Sequence, residues 1–292
     1  MQLWKKKTTK TSASSSNNEL DVILSSSGVR APAFIGALKS VQEKGYEVKR
    51  IAGTSGGAIV AASYALGMSV EEMEDHAKKV NYKELKDFSL KNLCSIRNPS
   101  LYSGKPLDEL YKSLFGNAKL RDFQIDCKIT VVTIGGGRRR IVLDRTSYPN
   151  LPVWEAVRMS SSIPFIFPYK KLDGRPVTDG GLVAEDQTSI FPDTERPVIC
   201  LRPKASSLRA HAEDAEISVY IWTLIRSVTE YLTDAVENQE VVIGKHDRHI
   251  VLPTGSLTTF NFDITEEDVV RLIEYGYNAV SQYNLLSHTD PR

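Results

Sequence analysis

The stretch Ile51-Ala-Gly-Thr-Ser-Gly-Gly-Ala-Ile59 sets a serine between glycines, after a short apolar run and before an alanine-rich one. Gly53, Ser55 and Gly57 fit the Gly-x-Ser-x-Gly template, in which small flanking residues permit a strained strand-to-helix turn with the serine Oγ exposed at the carboxyl end of a sheet. The flanks agree with that template. Val48 to Ala52 reads as a strand, and Ala58 to Leu66 as a buried helix closed by Gly67. A serine hydroxyl is a poor nucleophile unless a base takes its proton and donors receive the developing oxyanion, so the motif directs attention to a partner base and a loop of N–H groups. By themselves the five residues also fit an ordinary structural glycine turn.

Upstream, the apolar run Leu20 to Leu24 stops at Ser25-Ser-Ser-Gly28, and a helical pattern follows from Pro32 to about Lys44. Pro32 suits the first helical turn, Ala33, Ile35, Leu38 and Val41 supply an apolar face, and Gly45 ends it. With Val48 to Ala52 this makes one βαβ unit. Downstream, Ser69 to about Phe115 reads as helical and charged, with Ser69 as N-cap, and as an insertion or cap over residues 69–120. Cys127 to Ile134 and Arg140 to Leu143 are predicted to form a hairpin across Gly135-Gly-Gly-Arg-Arg139. A helix over Leu151 to Ser162 follows, then a turn and short strand over Leu172 to Val177. Strands at Val198 to Arg202 and His249 to Leu252 alternate with helices at Glu213 to about Ile243 and Thr265 to about Leu286. Strands alternating with helices imply an α/β fold of three layers, α/β/α, around a mostly parallel central sheet. Residues 1–18 are too polar to fold and read as a disordered tail; 19–292 read as one catalytic domain.

The composition narrows the functional classes. Of 292 residues, 41% are hydrophobic and 25% charged, enough to bury a full core. Lys plus Arg (37) nearly balances Asp plus Glu (36), so no global field favours nucleic acid. Cys94, Cys127 and Cys200 are widely spaced and odd in number, which matches neither a disulfide framework nor a metal site. No apolar run approaches the roughly 20 residues needed to span a bilayer.

Which base serves Ser55 depends on where the motif falls. An α/β-hydrolase places several strands before its nucleophile and an acid and a histidine after it; here only one βα unit precedes Ser55. None of the five histidines lies in a glycine-marked loop, and His246 and His249, in Lys-His-Asp-Arg-His, read as a solvated turn. The base is therefore sought among carboxylates. Asp179, in Val177-Thr-Asp-Gly-Gly-Leu182, has two glycines after it that leave its carboxylate accessible; a β-turn aspartate is the other reading.

Taken together, the apolar strand, the Ser-rich turn with Gly28-Val-Arg30, the helix, the second strand, Gly53-Thr-Ser-Gly-Gly57 and, much later, Asp179-Gly-Gly181 resemble the patatin-like phospholipases, relatives of cytosolic phospholipase A2. Met159-Ser-Ser-Ser-Ile-Pro164 is also similar to the family. The resemblance spans roughly Leu20 to Leu182. It implies lipid acyl hydrolysis on a Ser–Asp dyad, with Ser55 as nucleophile and Asp179 as base, and with no cofactor and no metal. It further implies an oxyanion hole at Ser27, Gly28 and Val29, supported by Arg30, Gly53, Gly57, Gly180 and Gly181. The substrate would be a phospholipid or lysophospholipid met in transient contact with a membrane surface. A cytoplasmic, peripherally membrane-associating protein is expected, with delivery into another cell as an effector the alternative setting. The rival readings are a carboxylesterase of α/β-hydrolase type with His246 or His249 as base, and a non-catalytic lipid-binding module.

Two departures bear on activity. The family's oxyanion loop is richer in glycine, and serines stand at two of those places in Ser26-Ser-Gly-Val-Arg-Ala31. Serine keeps the backbone donor but makes positive φ costly, by about 1 kcal/mol per residue if the loop needs it. Downstream, Ala184-Glu-Asp-Gln-Thr188 differs from the family pattern. The turn before Arg138-Arg-Arg140 lacks a P-loop lysine and precedes a strand, so those three arginines read as solvated, or as head-group contacts if the hairpin lies beside the cleft.

Overall fold

A computed structural model describes residues 18–135, 139–182, 190–191, 196–205 and 247–285. The strands among them are β1 (Glu19–Leu24), β2 (Glu47–Gly53), β3 (Asp126–Thr133), β4 (Arg140–Leu143), β5 (Lys170–Leu172), β6 (Arg175–Asp179), β7 (Val198–Lys204) and β8 (Asp247–Pro253). The helices are α1 (Pro32–Glu43), α2 (Gly56–Ala65), α3 (Val70–Lys79), α4 (Leu90–Leu93), α5 (Lys105–Phe115), α6 (Val153–Ser160) and α7 (Glu266–Ser281). The expected tail, the long helix from Glu213 and His246 lie outside the described residues.

The strands form one mixed sheet in the order β5-β6-β3-β2-β1-β7-β8, with β4 also paired to β3. The pairs β1–β2, β1–β7, β2–β3 and β7–β8 are parallel, whereas β4, β5 and β6 run antiparallel to their neighbours. Alternating side chains of the central strands feed two cores. Val22 and Leu24 join the main cluster with α1, α2, α6 and α7, while Ile23, Ala52 and Cys200 meet Ile190 and Phe191 in a smaller one. Both sheet faces are covered, which is why residues 22–24 of β1 and 198–201 of β7 are continuously apolar and do not alternate with polar residues. No helix among the described residues is long and apolar enough to cross a membrane.

The helix ends follow local chemistry. Ser69 caps α3 in a reciprocal capping box with Glu72, and Thr265 does the same for α7 with Asp268. Pro32 begins α1. The segment expected to be helical from Ser69 to Phe115 is instead three separate helices, with irregular chain between Cys94 and Gly104. Pro99 and Gly104, the latter at φ 73°, interrupt the helical path there.

The register of β3 decides where the site lies. Gly53, the end of β2, pairs with Ile129, and Asp179, the end of β6, pairs with Val131. The two strand ends therefore meet two residues apart along β3, although 126 positions separate Gly53 from Asp179 in the chain.

Candidate active site

Ser55 sits at φ 54° and ψ −121° between β2 and α2, a backbone conformation that a residue with a Cβ adopts only under constraint. Several contacts supply that constraint. The Ser55 N–H donates to Ser160 Oγ at 2.8 Å, and Ser160 Oγ donates in turn to the Thr130 carbonyl at 2.7 Å. The Thr54 and Thr130 hydroxyls also share a hydrogen bond. Beneath the serine the turn packs directly on backbone: a Cβ added to Gly57 would lie 2.4 Å from the Leu24 carbonyl, and one added to Gly53 would lie 2.4 Å from the Gly57 carbonyl. Both outer glycines of the motif are thus required by close approach.

Asp179 is fully enclosed at the end of β6. Its N–H donates to the Ser162 carbonyl at 3.1 Å, so Ser160 and Ser162, at the end of α6, hold Ser55 and Asp179 respectively. One carboxyl oxygen, Oδ1, accepts the Gly181 N–H at 2.7 Å. The other, Oδ2, is buried without a hydrogen bond of ordinary geometry, and the Ser55 hydroxyl lies beside this carboxylate. Burial pushes the Asp179 carboxyl up to about 7; the Ser55 hydroxyl and the Gly181 N–H oppose that rise without cancelling it. The carboxylate is thereby brought into the range in which it can take and return a proton near neutral pH. Gly180 is pressed against the Thr130 carbonyl, 2.6 Å from where its Cβ would be.

The loop after β1 lies against the same turn. Among Ser25, Ser26, Ser27 and Gly28, only Gly28 has a positive φ, at 56°, and its Cβ would lie 2.2 Å from the Thr259 carbonyl. The two serines in place of glycine therefore carry no left-handed strain. Arg30 is buried and turned back into the loop: Nε donates to the Ser27 carbonyl at 3.1 Å and Nη2 to Thr259 Oγ1 at 2.8 Å. Val29 requires a correction. Its N–H donates to the Thr259 carbonyl at 3.2 Å, which removes it from the set of oxyanion donors. The Ser27, Gly28 and Gly56 N–H groups make no hydrogen bond among the described residues. A Cβ on Gly56 would lie 3.1 Å from the Gly28 nitrogen, so these two amides flank one space.

Ser55, Gly28 and Gly56 line one end of a cavity of about 170 Å³. Its walls are apolar and come from α1, α2, α3 and α5 with the chain between them: Ile35, Ile59, Met73, Leu85, Leu107 and Phe167 are representative. Tyr111, fully buried on α5, reaches Ser161 Oγ at 3.2 Å. Arg158, also fully buried, fastens α6 to α5 through Asp108 at 2.7 Å.

Of the two histidines in the alternative reading, only His249 lies among the described residues. His249 lies in β8, three strands from β2 in the sheet order, a separation of roughly 14 Å. His76 is exposed on α3 at the cavity wall and makes no hydrogen bond to Ser55. Arg139 and Arg140 do not line this cavity, although Arg140 pairs with Val132 next to the Val131–Asp179 pair; Arg138 lies outside the described residues.

Gly56 was legible, because the residue after the nucleophile is a known donor position of the serine elbow. Thr259 was not: nothing in its surroundings signals a contact with a loop more than 200 positions earlier.

The patatin-like phospholipase profile matches residues 22–190, more than half of the chain. The chain belongs to the patatin-like phospholipase family. That family comprises lipid acyl hydrolases. An uncharacterized protein of Bacillus subtilis, YqhO, is 27% identical over 287 residues, covering 88% of this chain and 95% of its own. The neuropathy target esterase of Drosophila melanogaster is 28% identical over 170 residues, which are 57% of this chain and 11% of that much longer protein. In structure, the chain is similar to VipD from Legionella pneumophila, with a TM-score of 0.61, 16% identity and coverage of 91% of this chain and 66% of VipD. It is also similar to the type III effector ExoU, at TM-score 0.50, 15% identity and coverage of 90% and 52%. At such identities the two structures bear on the fold alone, which is that of patatin-like proteins.

Proposed function

We propose that this protein hydrolyses fatty-acyl esters of phospholipids or lysophospholipids through an acyl-enzyme on Ser55, with Asp179 as the only side-chain base. The observation that carries the proposal is the placement of the buried Asp179 carboxylate beside the Ser55 hydroxyl, at the end of an apolar cavity able to receive an acyl chain. Ser55 Oγ attacks the ester carbonyl while its proton passes to Asp179 Oδ2. The carbonyl oxygen becomes an oxyanion between the Gly28 and Gly56 N–H groups, where the α2 N-terminus adds a favourable dipole. Collapse breaks the ester bond, and Asp179 gives its proton to the departing alcohol. Water then surrenders a proton to Asp179, attacks the acyl-enzyme and releases the fatty acid, restoring Ser55. Such a substrate is met at a membrane surface, so transient contact with lipid accompanies this reading.

The test is release of fatty acid from a phospholipid and from an uncharged ester by wild type, Ser55→Ala, Asp179→Asn and the His246→Ala/His249→Ala pair. Ser55→Ala and Asp179→Asn should each lower kcat by roughly ten-thousandfold, as loss of a member of a nucleophile–base pair does. The histidine pair should stay within about twofold of wild type. Dependence on either histidine would favour the triad, and no turnover by wild type on any ester would favour a binding module.

A further inference from the structure

Between Asp87 and Asp108 the chain contains no acidic residue and carries Lys91, Arg97 and Lys105. In the same segment Leu90 is 64% and Ile96 99% exposed, an arrangement that costs hydration for no gain in packing. Phe165, 52% exposed, is joined to this segment at Ser100 and Leu101 and holds a positive φ of 65°, unfavourable for an aromatic residue. Its backbone is fixed there: Phe165 bridges Ser100, and the Leu101 N–H donates to the Phe165 carbonyl at 2.7 Å. Ser100 in turn donates its N–H to the Asn92 carbonyl and accepts from Asn92 Nδ2 at 3.2 Å, which ties the α4 turn to the same framework. The three apolar residues are thus carried on short segments braced against one another. Constraint that presents an aromatic ring to solvent is the pattern expected of a contact surface.

The framework also adjoins the proposed active site. Ile163 and Phe167, on either side of Phe165, line the Ser55 cavity, and Tyr102 packs against Phe167 and Phe262 with ring centres 5.7 and 5.9 Å apart. The same segments thus supply cavity wall at Ile163 and Phe167 and carry Leu90, Ile96 and Phe165 exposed to solvent.

We propose that the surface carrying Leu90, Ile96 and Phe165, flanked by Lys91 and Arg97, is where the protein docks onto an anionic lipid bilayer, apolar side chains inserted and cations at the phosphates. The partner is an anionic lipid surface because the exposed Leu90 and Ile96 each stand next to a cation, Lys91 and Arg97, and no acid falls between Asp87 and Asp108. The docking rests on the reading of the protein as a lipid hydrolase, and its test is independent of turnover.

The test uses the full chain carrying Ser55→Ala, which binds without hydrolysing, and measures sedimentation with vesicles of phosphatidylcholine alone or with 30% phosphatidylglycerol. Binding should favour the anionic vesicles, fall roughly fivefold for each of Lys91→Gln and Arg97→Gln, and fall at least about tenfold for Leu90→Ser/Ile96→Ser. Phe165→Gly removes the ring and relieves the positive φ, so lost binding there is not lost folding. Equal binding by all variants, or none by the parent, overturns the docking surface. The same substitutions in the Ser55 protein should leave hydrolysis of a soluble short-chain ester unchanged. If the unsubstituted protein hydrolyses the soluble ester but the Ser55→Ala parent binds no vesicles, only the docking fails; if vesicle binding depends on Leu90, Ile96, Lys91 and Arg97 as expected but the unsubstituted protein hydrolyses no ester, only the hydrolase reading fails.

Discussion

Two turns lie side by side at the carboxyl ends of β1 and β2, and they handle left-handed backbone in opposite ways. In the first, Ser25 to Ala31, the single positive φ falls on Gly28, where no side chain opposes it, and the serines keep negative φ. In the second, the positive φ falls on Ser55, flanked by glycines that could have carried it. In the proposed reaction the first turn supplies backbone amides, and its positive φ sits on the residue that bears it freely. The second would supply a hydroxyl at the point of strain, and the surrounding structure bears that cost. The Ser160 hydroxyl satisfies the Ser55 N–H, and close packing at Gly57 prevents the turn from relaxing. Placement of strain thus separates a turn that presents backbone from one that presents a side chain.

The contrast can be broken most severely at Gly28. Gly28→Ala places a methyl group against the Thr259 carbonyl in an unfavourable φ, and displacement of that amide should lower kcat by on the order of a hundredfold or more, with KM for a soluble ester little changed. A next test concerns the carboxylate the second turn faces. Because Asp179 in the folded protein titrates at about 7 against 3.8 unfolded, the folded state holds the extra proton between these values, and stability falls as pH rises from about 4 to 7. Asp179→Asn should therefore unfold at a higher temperature than wild type at pH 8, by up to about 4 kcal/mol of stability, and the advantage should vanish near pH 4. In the same window kcat/KM of the wild type should rise with pH to a plateau above about 7, since the base must be ionised.

A smaller effect separates strain from chemistry at Ser55 itself. Both Ser55→Gly and Ser55→Ala should be inactive, but the glycine variant should be the more stable by about 1 kcal/mol in denaturant melts, because only it relaxes the positive φ. Smallest of all, Ser26→Gly and Ser27→Gly, which restore a glycine-rich loop, should leave kcat within about twofold and lower stability by a few tenths of a kcal/mol through backbone entropy. A large gain in activity would mean that the serines do distort the loop.

The same distinction explains what could be read beforehand. Strand, elbow and helix around Ser55 were legible because glycine spacing and apolar periodicity are local signals. The hairpin of β3 and β4 and the Ser69 cap of α3 were legible for the same reason. The cost assigned to Ser26 and Ser27 was not realised, because motif comparison gives residue types and not the φ each position adopts. Val29 was misassigned as a donor since its partner, the Thr259 carbonyl, is a backbone atom and leaves no trace in residue identity. The pairing of Ser55 with Asp179 depended on two strands abutting along β3; the glycines after Asp179 made it a candidate base beside a β-turn reading, and the family resemblance implied the pair. The cavity escaped notice because its walls are drawn from helices whose apolar residues read as ordinary core.

Thr259 lies well beyond residue 190, where the family match ends. Its carbonyl receives Val29 and its hydroxyl receives Arg30, closing the first turn from outside the matched segment. A fragment ending at residue 190 would contain both Ser55 and Asp179 and still lack the clasp that keeps Gly28 in place. For dissecting this chain, the smallest working unit is accordingly longer than its recognisable motif region, and a shortened version that binds lipid without turning it over would be reporting a missing clasp and not a dispensable serine.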